Sequence, residues 1–117
     1  MIKPLHQGQS LTREELKEIA NNLKITYHAR TRIQERTKKN FTDNEIKSII
    51  LNPVCAYFNT NGMINIAHNR YDHFIIAINE KTKTYDVVTY KIHSNNGIDI
   101  FQKRKYALMG YEYISNK

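Results

Sequence analysis

The residues best suited to chemistry lie in one stretch, residues 28–36 (HARTRIQER). It contains no Gly or Pro and closely follows Thr26, a good N-cap residue, so a short helix is predicted. Residues four apart lie about 40° apart around a helix, which aligns His28, Arg32 and Arg36 in one stripe. An imidazole that exchanges protons near neutral pH, beside two permanent cations, suits a phosphate-handling site. An ordinary solvated helix face can show the same stripe.

The overall composition favours an anionic partner. The chain has 117 residues, of which 40% are hydrophobic and 25% charged, and its formal net charge is +7. This length suits one domain with one core, and the charge is typical of proteins that bind nucleic acid. No apolar run is long enough to cross a bilayer, and no signal-peptide core is visible. We therefore expect a cytoplasmic protein whose partner is RNA or another nucleic acid, and no membrane partner.

Metal ligands are not expected from the sequence. Cys55 is the single cysteine, which excludes an internal disulfide and a cysteine-rich zinc site, and it is predicted to be a small core residue. His68, His73 and His93 lack metal-ligand spacing and are predicted to be surface or turn residues. No cofactor is expected.

Helix signals dominate the first half of the chain. Capping boxes at Thr12/Glu15 and Thr42/Glu45 predict where two further helices begin. The first is expected to run to about Leu23, and the second to stop before Pro53. The apolar residues at core spacing are Leu16, Ile19, Ala20 and Leu23 in the first helix and Ile46, Ile49 and Ile50 in the second.

Strand signals dominate the second half. Four β-rich runs cover residues 54–58, 63–67, 73–79 and 85–92, with Asn61-Gly62 as a strong hairpin turn. The run at 73–79 is the most apolar and is expected to be central. A short basic helix is predicted at 100–109. The expected class is α+β, with N-terminal helices packed on a four-stranded antiparallel sheet and a short C-terminal helix.

Three motifs together resemble a known group of proteins. They are the His-Ala-x-x-Arg-x-x-x-Arg helix that begins at His28, the segment Thr42-Asp43-x-Glu45-Ile46, and Val87-Val88-Thr89-Tyr90 in the last strand. This pattern resembles a small family within the superfamily of barnase, EndoU, colicin-type and RelE-like nucleases. The resemblance implies a metal-independent ribonuclease fold. Residues 1–117 would be a single domain, with a nuclease-like core at 25–92 between extensions at 1–24 and 93–117.

The resemblance implies catalytic roles for His28, Arg32, Arg36 and, on weaker grounds, Thr89. RNA can be cut without a metal when its 2′-hydroxyl attacks the neighbouring phosphate, which requires proton transfer and charge stabilisation. His28 would transfer the proton, the arginines would clamp phosphate oxygens, and the Thr89 hydroxyl would orient the phosphate. Threonine is also common in ordinary strands, so a structural role for Thr89 stays open.

Basic and aromatic residues elsewhere suit nucleic-acid contacts. Lys91 lies two residues beyond Thr89 and so shares its strand face. Tyrosines interleaved with Arg and Lys can stack on bases or can edge the core. The residues predicted to contact nucleic acid are Arg30, Arg70, Tyr71, Lys91, Lys103 and Arg104.

The favoured function is a small metal-independent protein that cleaves or binds RNA, with His28 and Arg32 at its centre. Its size and charge suit a toxin-like or phage-borne role, with an inhibitor or antitoxin protein as a further partner. Two alternatives stay open: a nucleic-acid-binding module without catalysis, and a phage-type inhibitor that binds a protein partner.

Overall fold

In the part of the chain that the structure describes, three helices pack against one face of a five-stranded mixed sheet. The structure is a computed structural model and describes residues 1–3, 9–59, 61–68 and 72–92. This architecture belongs to the α+β class that the sequence predicts. In chain order the elements are α1 (Arg13–Asn21), β1 (Leu23–Ile25), α2 (Tyr27–Thr37), α3 (Asp43–Leu51), β2 (Cys55–Phe58), β3 (Ile64–Ala67), β4 (Asp72–Asn79) and β5 (Thr84–Ile92).

The sheet contains one strand more than the sequence predicts. Strands β2 to β5 form the expected antiparallel meander, but β1 joins it parallel to β5, in the order β1-β5-β4-β3-β2. The prediction of a four-stranded antiparallel sheet is therefore wrong, while β4 is central as expected. Helix α1 ends at Asn21 because the Asn22 carbonyl accepts a hydrogen bond from the backbone N of Tyr85, at 2.8 Å. That bond directs Leu23 into the sheet.

All three helices begin where their sequence signals indicate. The hydroxyls of Thr12, Thr26 and Thr42 each accept a hydrogen bond from a backbone N–H in the first turn of the helix that follows. At Thr12 and Thr42 the full capping box is present, so two free N–H groups are satisfied at each helix start. Helix α3 ends at Leu51, before Pro53, as predicted.

The core lies between the helices and one face of the sheet. The helices contribute the apolar residues expected from their spacing, although Leu23 belongs to β1 and Ile49 is only half buried. Cross-strand register aligns the sheet residues into two rows, since each residue in a row pairs with the next. The rows are Phe58, Ile64, Ile76 and Val87, and Ala56, Ile66, Phe74 and Tyr90.

Neither long side of the sheet presents an uncovered strand along its full length. Beside β2, the backbone N of Phe58 donates to Gln9 O at 3.0 Å, and Leu11 N donates to Ala56 O at 3.1 Å. On the other side, β1 pairs with only the first part of β5, and α2 follows the remainder. Extended chain at residues 9–11 and helix α2 thus border the meander.

Some predictions fall outside the described residues: the helix at 100–109, and residues Arg70, Tyr71, His93, Lys103 and Arg104. Cys55 is buried, as predicted, in a small cluster with Tyr57 and Ala67 on the sheet face opposite the helices. Within the described ranges, no helix has both the length and the apolar composition needed to cross a membrane.

The burial of α3 gives a stability prediction. Ile50 is fully buried, so Ile50→Ala should lower the free energy of unfolding by roughly 2–5 kcal/mol. Thr42→Ala removes only a cap and should cost about 1 kcal/mol. Leu51→Ala, at the exposed neighbouring position, is the control and should stay within about 0.5 kcal/mol of the parent. Urea melts measure all three, and equal losses would contradict this placement of α3.

Candidate functional site

Helix α2 is attached to β5 at both of its ends. At its start, Thr26 donates to the carbonyl oxygen of Val87 from its backbone N at 3.1 Å and from its hydroxyl at 2.8 Å. Near its end, the Arg36 guanidinium donates to the carbonyl oxygen of Tyr90. Ala29 and Ile33, both buried, pack between these attachments. Histidine 28, in the first turn, is thereby fixed next to the middle of β5.

A β-bulge at Val88 changes which side chains of β5 face away from the core. Ile75 pairs with Thr89 and Ile76 pairs with Val87, so Val88 is the extra residue. In a regular strand, consecutive side chains alternate between faces. The bulge interrupts this alternation: Val87 and Tyr90 are both buried in the core, while Val88 and Thr89 both line a cleft.

That cleft has a volume of about 500 Å³ and combines side chains from four parts of the chain. At its centre, register aligns Asn65, Ile75 and Thr89 across β3, β4 and β5. His28 reaches it from α2, and the turn between β2 and β3 borders it. The lining residues are His28, Asn59, Asn61, Met63, Asn65, Ile75, Val88, Thr89 and Lys91.

The lining divides into three chemically different parts. His28, Thr89 and Lys91, from α2 and β5, supply an imidazole, a hydroxyl and an ammonium group. Met63, Ile75 and Val88 supply apolar surface, and three asparagines supply amides. No carboxylate belongs to the described lining, so the charge of this cleft is positive. An anion can therefore bind at the β5 side and a flat uncharged group can lie on the apolar part.

The amides form a hydrogen-bonded chain across β2 and β3. Asn59 Nδ2 donates to Asn65 Oδ1 at 2.9 Å, and Asn65 Nδ2 donates to the Tyr57 hydroxyl at 2.9 Å. Asn59 Oδ1 accepts from the backbone N of Asn61 at 2.8 Å and of Met63 at 3.1 Å. Gly62, with a positive φ of 73°, allows the tight turn that these bonds close.

The two arginines predicted to be catalytic are not among the residues that line the cleft. Arg36 is half buried and bonded to the Tyr90 carbonyl. Arg32 lies 3.7 Å from the carboxylate of Glu35. Arg30, predicted to bind nucleic acid, forms an ion pair with Asp43. Of the predicted set, His28, Thr89 and Lys91 are the residues that this cleft brings together.

The three asparagines were not identified from the sequence. Their signal was the Asn61-Gly62 turn, which fixes the pairing of β2 with β3. Asn65 lies three residues after Gly62, and with the register known its face could have been assigned by alternation. The bulge at Val88 carries no comparable sequence signal.

The other described histidines lie away from the cleft lining. His73 is fully buried in β4, so its prediction as a surface or turn residue is wrong. Strand β4 begins before this residue, at Asp72. The His73 ring lies edge-on to the Tyr57 ring, with 6.3 Å between the ring centroids. His68 is half buried, stacks on Phe74 and lies with Nδ1 3.3 Å from the Tyr90 hydroxyl.

Burial shifts the pKa values of His68 and Tyr90 in opposite directions. Burial lowers the pKa of His68, opposed by the nearby Asp72 carboxylate and reinforced by Lys39. Burial is the larger cause that raises the pKa of Tyr90, and a hydrogen bond to Asp72 raises it further.

The described tyrosines differ in their exposure to solvent. Tyr85 and Tyr90 are core residues, whereas Tyr27 is 86% exposed. Of the described tyrosines, only Tyr27 is thus strongly exposed for stacking.

No group of three or more His, Cys, Asp or Glu side chains within the described ranges could hold a metal ion.

Comparison with protein-family models, with curated proteins and with solved structures finds no match for this chain. The resemblance to the nuclease superfamily therefore stays a prediction.

Thr26 should control the position of His28, and its hydroxyl can be tested alone. Thr26→Val removes the cap and the hydroxyl's bond to the Val87 carbonyl but keeps the backbone bond, and should lower the free energy of unfolding by about 1–2 kcal/mol. Thr26→Ser keeps the hydroxyl and should stay close to the parent. Urea melts make the comparison. Equal stability of the two variants would show that the hydroxyl does not hold α2 in place.

His68 should make stability depend on pH. The folded state lowers the pKa of His68, so the imidazole binds a proton more tightly in the unfolded chain than in the folded protein. The free energy of unfolding should therefore fall as pH drops below about 6.5, where the unfolded chain takes up that proton. His68→Gln should therefore lose less stability than the parent between about pH 7.5 and pH 5. Urea melts across this range measure the difference. Parallel curves for the two proteins would contradict the assignment.

Proposed function

We propose that this protein cleaves RNA, without a metal, at the cleft between α2 and β5. The observation that carries the proposal is that His28, Thr89 and Lys91 line one cleft, although α2 and β5 are far apart in sequence. They supply a proton-transfer group, a neutral donor and a cation, the components that phosphate chemistry needs. The resemblance to the barnase, EndoU, colicin-type and RelE-like superfamily points in the same direction.

The proposed step uses the RNA's own nucleophile. The 2′-oxygen forms a bond to the adjacent phosphorus while the bond from phosphorus to the 5′-oxygen breaks. His28 accepts the proton of the 2′-hydroxyl, and water supplies the proton for the departing 5′-oxygen. Lys91 stabilises the added negative charge on the phosphate, and the Thr89 hydroxyl donates to one of its oxygens. The products are a 2′,3′-cyclic phosphate and a 5′-hydroxyl.

This assignment changes the role expected for the arginines. Lys91 takes the place of Arg32 and Arg36 as the cation beside the phosphate, since neither arginine lines the cleft. Arg36 acts through the structure, because its bond to the Tyr90 carbonyl holds the C-terminal part of α2 against β5. Arg32, beside Glu35 on the outer face, has at most an auxiliary contact with the RNA backbone.

His28→Ala should slow cleavage by roughly 10²–10⁴-fold, while RNA binding stays close to that of the parent because Lys91 remains. The measurement is single-turnover cleavage of labelled RNA with EDTA present. DNA of the same sequence should resist, since it lacks the nucleophile. His68→Gln is the matched control: it removes an imidazole outside the cleft lining and should retain activity. Full activity in folded His28→Ala would contradict the proposed step.

A second candidate is RNA binding without cleavage. Among the described residues of the lining, His28 is the one imidazole and no carboxylate is present. Many acid–base sites use two proton-transfer groups, and a cleft with one such group favours binding without cleavage. In that case the parent would bind RNA with an affinity that falls linearly with salt on logarithmic axes, and would release no cyclic phosphate from any RNA tested.

A further inference from the structure

We propose that the ring of Tyr27 stacks on one base of the bound RNA, the base of the nucleotide whose 2′-hydroxyl attacks the phosphate. This inference rests on the proposed function, because that nucleotide is the one whose 2′-hydroxyl lies at His28. It extends the site beyond the cleft, since Tyr27 is not among the described lining residues. The contact holds a base without identifying it, because every base has a face that can stack.

The side chain of Tyr27 takes no part in the described core. It is 86% exposed, whereas Met1 and Leu51, the other large exposed apolar residues of the described ranges, are 38% and 36% exposed. Within the same ranges, no hydrogen bond or ring contact involves the Tyr27 ring or hydroxyl. Packing within the described fold therefore does not account for a tyrosine at this position.

The backbone that carries this ring is fixed. Thr26, the preceding residue, donates two hydrogen bonds to the Val87 carbonyl and caps the helix through the N–H of Ala29. The hydroxyl of Thr31, one turn further along α2, donates to the Tyr27 carbonyl at 3.0 Å. A tyrosine side chain has only two χ angles, so it loses little conformational entropy when it binds. An exposed ring on such a backbone is a suitable surface for stacking.

Tyr27 adjoins the cleft on the side of α2. It directly precedes His28, which lines the cleft, and consecutive Cα atoms are about 3.8 Å apart. Helical side chains tilt toward the N-terminus of their helix, so we expect the ring to extend past the start of α2, where Thr26 meets Val87. A base on this ring would lie outside the cleft while its ribose reaches His28.

The proposed step decides which nucleotide meets Tyr27. The 2′-hydroxyl that His28 deprotonates belongs to the nucleotide on the 5′ side of the scissile phosphate. Thr89 and Lys91 contact that phosphate from β5, and the departing 5′-oxygen belongs to the nucleotide that follows. The ribose beside α2 is therefore that of the nucleotide on the 5′ side, and its base is the one nearest to Tyr27.

The charges around Tyr27 suit an RNA strand. The first turn of helix α2 contains no acidic residue. Lys24 is exposed on β1, between Leu23 and Ile25, which pack against the core. Because side chains alternate along a strand, Lys24 lies on the sheet face that carries Thr89. A cation therefore lies on the side from which the 5′ part of the strand arrives.

The first measurement compares two heptamers that cannot be cleaved: 2′-O-methyl heptauridine, and the same sugar–phosphate chain without its bases. Tyr27→Ala should weaken binding of heptauridine about tenfold, or about 1.4 kcal/mol. It should weaken binding of the chain without bases less than about twofold, because only phosphate contacts remain there. A loss confined to the oligonucleotide with bases isolates the contact between the ring and a base.

Two matched variants separate stacking from other effects. Tyr27→Phe keeps the ring and should bind both heptamers as the parent does. Leu51→Ala removes another exposed large side chain, at the end of α3, and should leave both affinities unchanged. Urea melts of Tyr27→Ala should match those of the parent, since the substituted side chain lies outside the core.

The second measurement locates the base by cleavage. The substrate is 2′-O-methyl heptauridine in which one ribose keeps its 2′-hydroxyl, so that only one bond can break. At sub-saturating protein, Tyr27→Ala should slow single-turnover cleavage about tenfold on this substrate, but less than about twofold once that ribose has lost its base. Removing the base of the next nucleotide instead should leave the tenfold effect in place.

Failure of this inference differs from failure of the proposed function. Equal losses on both heptamers, no loss on either, or a loss in Tyr27→Phe as large as that in Tyr27→Ala would overturn the stacking contact. Coupling to the base after the scissile phosphate would overturn the position assigned to it. The expected difference between the heptamers, without cleavage of any RNA, would overturn the proposed cleavage and the assignment to one nucleotide, but would support stacking. No binding of either heptamer or of longer RNA by the parent would overturn both.

Discussion

Thr26 donates two hydrogen bonds to one acceptor, the carbonyl oxygen of Val87. The same hydroxyl accepts a hydrogen bond from a free N–H in the first turn of α2, that of Ala29, at 3.1 Å. One threonine therefore ends the pairing of β1 with β5, starts the helix and fixes the helix to the sheet. The attachment lies directly before the bulge at Val88. The position of His28 relative to Thr89 therefore depends on this short segment.

Much of the fold is encoded locally and could be predicted. Capping boxes, the Asn-Gly turn and the apolar run of β4 each depend on neighbouring residues, so the sequence alone locates them. Strand β1 could not be found this way. Its first residue, Leu23, continues the helical spacing of α1, and only pairing with the distant residues 85–87 makes the segment a strand. The bulge likewise depends on how β5 pairs with β4.

The candidate site was also predictable in part: the residue types were visible in the sequence, but the contacts that each side chain makes were not. The sequence predicts His28 from its residue type and place on the helix, Thr89 from the family resemblance and Lys91 from its strand face, and all three line one cleft. The arginine stripe on α2 was a weaker guide, because a guanidinium that can clamp a phosphate can equally satisfy a backbone carbonyl or a carboxylate. Arg36 and Arg30 have such partners within the fold. Sequence spacing aligns side chains on a helix but does not show what each one contacts.

The borders of the sheet have a consequence for how the protein behaves at high concentration. Exposed strand edges are templates for pairing between molecules, and many proteins protect them. Here β1 is only three residues long, α2 lies beside the rest of β5, and residues 9–11 occupy the side of β2. Ala56 O and Phe58 N on the outer side of β2, and Val87 O and Tyr90 O on β5, are all bonded within the molecule. Another molecule's strand could pair with β2, or with the second half of β5, only after residues 9–11 or α2 had detached, so these two attachments restrict intermolecular pairing at those positions.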